Sequence, residues 1–380
     1  MPQQFFSPCP RGLEQALADE LAELGADAIV VGDAGVAFSG DLPLCYRINL
    51  MSRIASRVLW QVAKTNYGSE EDVYKVVLAL PWPEWFEVNR TIAVSVNARK
   101  CPLKSLDFVT LRIKDAVCDR FRSAGGARPN VDTREPDVRI FAFLDEFAVT
   151  VYLDTSGEAL FRRGTRAATT EAPLKENLAA GILRLIGWRP GIPLIDPMCG
   201  GGTFLIEAAQ ISLDIAAGLG RQFGFEKLRG FQAEAWVAIR RDTEARRQAA
   251  HRLALFGSDL YGDAVKLARI NAAAAGLDDV IEFRQVNVLE VKPPADSGIW
   301  VTNPPYGVRI GEQEELARLY PELGHVLKQR FAGWTAYFFT ADLRLAKLIR
   351  LQASKRTPLF NGALECRLFE YRIVAGSARR

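Results

Sequence analysis

The chain has 380 residues, of which 49% are hydrophobic and 24% charged, with a net charge of +3 and a mean hydropathy of zero. That length leaves room for two or three domains with real cores, and no stretch approaches the roughly 18 consecutive apolar residues of a membrane span. Six scattered cysteines without a Cys-x-x-Cys pair, and only two histidines, His251 and His325, argue against a disulfide framework and against a zinc or iron-sulfur site.

The start, Met1 to Gln15, lacks the basic flank and apolar core of a secretory signal, so a cytoplasmic location is expected. Charge is uneven. Residues 1–45 carry one Arg against seven acids, and residues 341–380 carry nine Lys/Arg against three acids. Local basic faces on a near-neutral protein suit a polyanion partner, although a solvated surface has the same composition.

In chain order, Arg11 to Leu24 predicts an amphipathic helix, with Leu13, Leu17, Leu21 and Leu24 on one face and Gly25 as its stop. Ile29 to Phe38 predicts a hairpin turning at Gly32-Asp33, and Thr91 to Asn97 an alternating strand. Ser105 to Arg122 predicts a helix with Val109, Ile113, Val117 and Phe121 inward, followed by a hairpin over Val138–Phe143 and Phe147–Leu153. This half is α+β. Composition shifts between about 155 and 170, where a boundary is placed. From Leu174 onward helices and strands alternate: helices at 178–186, 203–216, 264–275, 314–330 and 343–351, and strands at 192–195, 253–258, 281–286, 298–302 and 335–340. Such alternation implies a parallel, doubly wound sheet. The end departs from it, because Asn361-Gly362 between two strand patterns signals an antiparallel hairpin.

Two segments carry the chemistry. Asp196-Pro197-Met198-Cys199-Gly200-Gly201-Gly202-Thr203 follows one buried strand pattern, and Asn303-Pro304-Pro305-Tyr306 follows another. The first is a glycine turn opening a helix, where a nucleotide-like cofactor can approach the backbone. The second offers a polar amide, two rigid prolines and an aromatic plate. Together they resemble the motifs of class I methyltransferases acting on exocyclic or amide nitrogens. The segment Ala172-Pro173-Leu174-Lys175-Glu176-Asn177 and the strand end Gly257-Ser258-Asp259 extend that resemblance, while Val109–Phe121 with Arg128-Pro129-Asn130-Val131-Asp132 resembles a THUMP RNA-binding domain. With Cys9–Glu14 and Phe360-Asn361-Gly362 included, the chain is most similar to bacterial 23S ribosomal RNA guanine-N2 methyltransferases of the RlmL type, in a version without a second, fused methyltransferase.

The resemblance implies an α/β chain: a ferredoxin-like part at 1–44, a THUMP region at 45–155, a linker at 156–170 and a Rossmann-like methyltransferase domain at 171–380, its parallel sheet closed by an antiparallel hairpin. The implied cofactor is S-adenosyl-L-methionine and the implied partner is RNA, 23S rRNA or a large-subunit assembly intermediate, with no membrane and no metal. Pro173, Pro197, Met198, Thr203 and Val288 join the cofactor set around Asp196, Cys199, Gly200, Gly202, Asp259 and Asn287.

Within that set, Gly200 and Gly202 let the backbone come close to the methionine part of the cofactor, and Asp196 can accept from its ammonium group. Asp259 can accept from both ribose hydroxyls, with Asp263 left as cap of the next helix. Asn287 stands where the family usually has Asp, and its oxygen can still accept from the adenine amine. Cys199 inside the loop reads as a packing residue. In the second motif, Asn303 Oδ1 and the Pro304 carbonyl each accept one N–H of the target amine, Pro305 stiffens the loop, and Tyr306 stacks on the base.

Reaching a guanine N2 inside RNA requires unstacking the base. Arg112, Lys114, Arg128, Asn130 and Arg309 are the candidate RNA contacts, and the basic stretch Arg221–Arg252 is expected to be a solvated helix face. Three other readings stay open: tRNA guanine-N2 methylation, protein glutamine methylation, and a non-catalytic role in ribosome assembly.

Overall fold

The computed structural model describes residues 2–164, 174–305 and 310–374, with the backbone alone for 310–313. Its strands form two seven-stranded sheets. The first is built from β1 (Gln3–Pro8), β2 (Asp27–Gly32), β3 (Gly35–Gly40), β4 (Leu59–Asn66), β5 (Ile92–Ala98), β6 (Val138–Leu144) and β7 (Ala148–Asp154). Its order is β2-β3-β1-β4-β7-β6-β5. The expected hairpins at 29–38 and 138–153 are β2–β3 and β6–β7. Strands β1 and β4 have no counterpart in the sequence reading, and they make the joint between the ferredoxin-like and THUMP parts. Phe5 pairs with Trp60 and Phe6 with Leu59, so the two parts share one continuous sheet.

Five helices accompany this sheet: α1 (Glu14–Glu23), α2 (Leu42–Met51), α3 (Glu70–Ala79), α4 (Trp82–Trp85) and α5 (Leu106–Gly125). The longest, α5, forms for reasons visible in its residues. Ser105 caps it by accepting from Phe108 N–H at 3.2 Å, Val109, Ile113, Val117 and Phe121 are buried along one face, and Gly126 ends it with φ +77°. Its buried face meets Val73, Val77, Trp82 and Phe86 in a core belonging to this region.

The second sheet comprises β8 (Leu194–Asp196), β9 (Leu255–Asp259), β10 (Glu282–Gln285), β11 (Gly298–Thr302), β12 (Trp334–Thr340), β13 (Lys355–Asn361) and β14 (Leu364–Arg372). Its order is β10-β9-β8-β11-β12-β14-β13, with β10 to β12 parallel and β13–β14 an antiparallel hairpin added to β12. The helices are α6 (Glu176–Leu185), α7 (Thr203–Ser212), α8 (Ala233–Ala245), α9 (Gly262–Ala274), α10 (Ile310–Arg330) and α11 (Leu345–Leu348). Residues 343–351 yield only the four-residue α11, where a longer helix was expected. Asp263 lies in the first turn of α9 rather than capping it; the cap is Tyr261, without a side-chain bond.

One apolar cluster runs through both halves. Phe5, Leu13 and Leu17 pack in it with Leu178, Ile182, Leu205 and Leu359. A second layer, with Trp300, Tyr320, Phe331, Trp334 and Tyr371, covers the other face of the second sheet. The halves are also joined by a buried ion network. Glu207 of α7, 1% exposed, accepts from Arg163 Nε at 3.1 Å and Arg53 Nη1 at 3.3 Å, while Arg163 donates to the Arg53 carbonyl at 2.7 Å. Among the described residues no helix is long and apolar enough to cross a membrane, and no three or more His, Cys, Asp or Glu are grouped to hold a metal ion.

Candidate functional site

In a parallel sheet, ligands bind beyond the carboxyl ends of the strands where the winding reverses. Here the reversal lies between β8 and β11, because the chain proceeds from β8 outward through β9 to β10 and returns on the other side at β11. Asp196 ends β8 and Thr302 ends β11, so the two motifs emerge side by side. The Thr302 hydroxyl donates to Asp196 Oδ1 at 2.9 Å, and Met198 N–H approaches the same oxygen at 3.3 Å. Thr302 is fully buried and Asp196 is 2% exposed. Burial pushes the Asp196 carboxyl up to about 7 against these two hydrogen bonds, with the nearby Asp259 charge adding to the rise.

The glycine loop is held at several points. Gly200 N–H donates to Asp259 Oδ2 at 3.0 Å, and Tyr261 N–H to Asp259 Oδ1 at 3.1 Å. Cys199 N–H bonds the Ser258 carbonyl at 2.9 Å, and Asn271 of α9 donates to the Gly201 carbonyl at 3.1 Å. Gly202, at φ +80°, places Thr203 as the first residue of α7. A Cβ at Gly202 would sit 3.3 Å from both Ala268 and Phe283, whereas one at Gly200 would meet nothing within 4 Å. The loop is therefore tight on its inner side and open above Gly200. That open side, beside a buried carboxylate and a helix N-terminus, fits the amino-acid end of a nucleoside cofactor.

Asp259 uses its carboxylate first to brace the loop, with lone pairs remaining for ribose hydroxyls. The next two residues, Leu260 and Tyr261, are 52% and 70% exposed. The sequence reading did not single them out, nor Asn271. An apolar pair directly after a strand-ending acid is the signal that could have marked the first two. Asn287 lies two residues beyond β10, and its Oδ1 accepts from Leu289 N–H at 3.0 Å, closing an Asx turn. Val288 beside it is buried, as is Cys199, whose thiol burial pushes well above its ordinary value. A thiol so held is a packing group, not a nucleophile.

Asn303 is half-buried, Pro304 buried and Pro305 exposed, so the loop leaves β11 with one proline anchored and one outward. Pro173, Tyr306 and Arg309 lie outside the described residues.

Of the other RNA candidates, Arg112 is committed within its own region, 2.6 Å from Glu71 Oε2 and 4.0 Å over the Tyr74 ring, and Lys114 is 2.5 Å from Asp115. Arg128 and Asn130 are exposed. The solvated helix face expected over Arg221–Arg252 is helical only at Gly224–Lys227 and Ala233–Ala245. Arg221 instead donates to the Ala159, Arg162 and Glu158 carbonyls, Arg240 reaches toward the Leu219 carbonyl and the Trp236 ring, and Arg241 and Arg247 are exposed.

A parallel sheet with this winding, a braced glycine loop after its first strand and an Asn-Pro-Pro loop after its fourth define a class I methyltransferase architecture. Residues 163–370 match the RMKL-like methyltransferase domain, residues 67–154 the THUMP domain and residues 4–59 the RlmL ferredoxin-like domain; the chain belongs to the RMKL-like methyltransferase family. It is 43% identical over 384 residues to the ribosomal RNA large subunit methyltransferase K/L of Syntrophotalea carbinolica, covering 98% of this chain and 54% of that protein. The chain thus spans about half the length of the curated relatives it matches. A solved structure of a proposed methylase from Clostridium difficile 630 superposes with a TM-score of 0.90 at 30% identity over 100% of both chains. Another, SMU.472, a proposed methyltransferase complexed with SAH, superposes with a TM-score of 0.89 at 29% identity, covering 98% of each chain.

Proposed function

We propose that this chain transfers a methyl group from S-adenosyl-L-methionine to the exocyclic N2 of a guanine in 23S ribosomal RNA. The observation that carries the reading is the Thr302–Asp196 hydrogen bond, because it ties the cofactor loop to the Asn-Pro-Pro loop. The SAH bound by a solved relative and the large-subunit name of a curated relative support it.

S-adenosylmethionine supplies a methyl group made electrophilic by its sulfonium. Asp196 holds the cofactor's ammonium, Asp259 accepts from the ribose hydroxyls, and Leu260 and Tyr261 flank the adenine. Asn303 Oδ1 and the Pro304 carbonyl accept hydrogen bonds from the two N–H groups of guanine N2, turning its lone pair toward the methyl carbon; one N2 proton is lost to solvent as the new N–C bond replaces the S–C bond. Tyr306 stacks on the extruded base, and Pro305 limits the loop's freedom, so the gain comes from positioning. Residues 1–44 and 45–155 present the RNA to residues 171–380, with Arg128, Asn130 and Arg309 among the contacts.

The test incubates the chain and tritiated S-adenosylmethionine with unmodified 23S RNA, 16S RNA, tRNA and release factor separately. Labelled N2-methylguanosine in digests of 23S RNA is expected. Label confined to tRNA overturns the substrate, and label confined to protein overturns the base chemistry.

A further inference from the structure

Arg11 is the single Lys or Arg among the first 45 residues, and its position is set with unusual firmness. The neighbouring Gly12 has φ +92°, and a Cβ there would fall 2.6 Å from the Pro358 carbonyl oxygen and 2.8 Å from Leu359 Cδ2. Two residues on, Leu13 packs so closely on Gly181 of α6 that a Cβ there would lie 2.2 Å from Leu13 Cδ1. The segment is therefore wedged between α6 and β13. Arg11 itself is exposed, its guanidinium carbon 4.2 Å from the centroid of the Phe360 ring.

A second pair of the same kind stands next to it. Lys175 Nζ lies 4.9 Å from the Phe161 ring centroid, and a Cβ at Gly362 would come 4.0 Å from that same Nζ. Among the described residues, the partners of the two cations are these two rings. A ring beneath a guanidinium or ammonium takes up one side of the cation and leaves N–H donors pointing outward.

Topology puts both pairs at the end of the sheet where the candidate site opens, with β13 three strands from β11, roughly 14 Å to the side at about 4.8 Å per strand. Strand β12 ends at Thr340, opposite Arg367, while β13 and β14 continue pairing to Asn361 and Leu364. The hairpin tip thus extends three residues past Thr340 and, because Thr302 is level with Phe338 and Phe369, five residues past Thr302, roughly 17 Å at about 3.4 Å per residue. Helix α6 precedes β8 and runs back along it, so its first turn, at Lys175, starts at that same edge.

We propose that Arg11 and Lys175, held by Phe360 and Phe161, form a cradle for the phosphates of the RNA strand flanking the target nucleotide. This rests on the methyl-transfer reading above. Residues distant in sequence (10–13, Phe161, Lys175 and 358–362) contribute, so the cradle exists only when the ferredoxin-like part and the methyltransferase domain are docked. Two fixed positive charges at the rim grip the backbone on the near side of an extruded base, where the strand must bend away from its stack.

The experiment compares the full chain with the double variant R11Q/K175Q and with R11K, using in vitro transcribed 23S RNA. For the double variant, KM for RNA rises about tenfold or more while kcat and S-adenosylhomocysteine affinity stay within about twofold. The slope of log affinity against log salt falls by about 1.4, the value for two released single-strand counterions. R11K keeps the wild-type slope. Wild-type KM and salt slope in the double variant overturn the cradle. A drop in thermal midpoint shared by R11Q and R11K, with the salt slope unchanged in both, also overturns it, because Arg11 is then a staple between segments. The salt slope is read without any transfer, so an inactive wild-type chain sinks the functional reading separately.

Discussion

The Thr302 hydroxyl and the Asp196 carboxylate meet at 2.9 Å between the ends of two adjacent parallel strands. Asp196 opens one motif and Thr302 directly precedes the other, so one buried hydrogen bond sets the spacing of the glycine loop against the Asn-Pro-Pro loop. Replacing Thr302 by Val keeps the shape and removes the donor. The expected cost is about 1–3 kcal/mol in urea unfolding at pH 8. Loss of that bond also raises the Asp196 pKa further, so S-adenosylhomocysteine affinity, measured by calorimetry, weakens at pH 7 more than at pH 9.

Asp196 makes stability depend on pH with a defined sign. Its folded-state pKa of about 7 lies above the unfolded value, so the folded chain binds the proton more tightly. The apoprotein therefore loses stability as pH rises from about 4 to about 7. Asp196→Asn keeps an oxygen for Thr302 and removes the buried charge. At pH 8 the apo variant is expected to be about 1–3 kcal/mol more stable than wild type, and the gap narrows as pH falls to 5. Its affinity for S-adenosylhomocysteine drops at the same time. Equal unfolding midpoints of the two proteins at pH 8 and pH 5 contradict the assignment.

Asn303→Ala separates catalysis from binding. Transfer to RNA is expected to fall by about 100- to 1,000-fold, with RNA and S-adenosylhomocysteine affinities within about threefold of wild type. Parallel loss of both affinities contradicts the role given to Asn303.

Asp259 braces two backbone N–H groups, at Gly200 and Tyr261. Asp259→Ala releases both, and the loop above Gly200 loses its fixed shape. A loss of about 1–2 kcal/mol in stability is expected together with a much larger relative loss of cofactor affinity. Glutamate at this position, one methylene longer, restores little of either.

Glu207 lies between Arg53 and Arg163 and is 1% exposed. Glu207→Ala leaves two guanidiniums without their shared partner, at a cost of about 3–5 kcal/mol in unfolding free energy. Glu207→Gln, which keeps one of the two acceptor oxygens and turns an NH2 toward the other arginine N–H, is expected to lose less than alanine. Identical unfolding of both variants and wild type removes the network from the account of how the halves are joined.

Much of the second half was readable because local chemistry is dense there. Alternating helix and strand patterns, the Asp196–Thr203 turn, the strand ending at Thr302 and the Asn361-Gly362 turn each act within a few residues. The joint in the first half was not readable. Strand β4 carries an irregularity between Gln61 and Ala63 that breaks the period-2 pattern, and β1 pairs with β4 through only two residues. Asn271 looks like an ordinary helix residue until α9 packs beside Gly201. Asn287 reads as an adenine acceptor, yet the fold also uses its oxygen in an Asx turn.

By itself the sequence determined most of the strands and helices from Thr91 onward, the point where the winding changes from α+β to α/β, and the two loops that leave β8 and β11, while β1, α2, β4, α3 and α4 had no predicted counterpart. The features so determined depend on periodicity, glycine conformation and residue type, all of which act locally. Only the tertiary structure decided that Thr302 bonds Asp196, that Asp259 braces the glycine loop, that Glu207 locks Arg53 to Arg163, and that Arg11 stands on Phe360. Each joins residues between about 44 and 349 positions apart, and such contacts depend on the burial and register of whole elements, which no local pattern encodes.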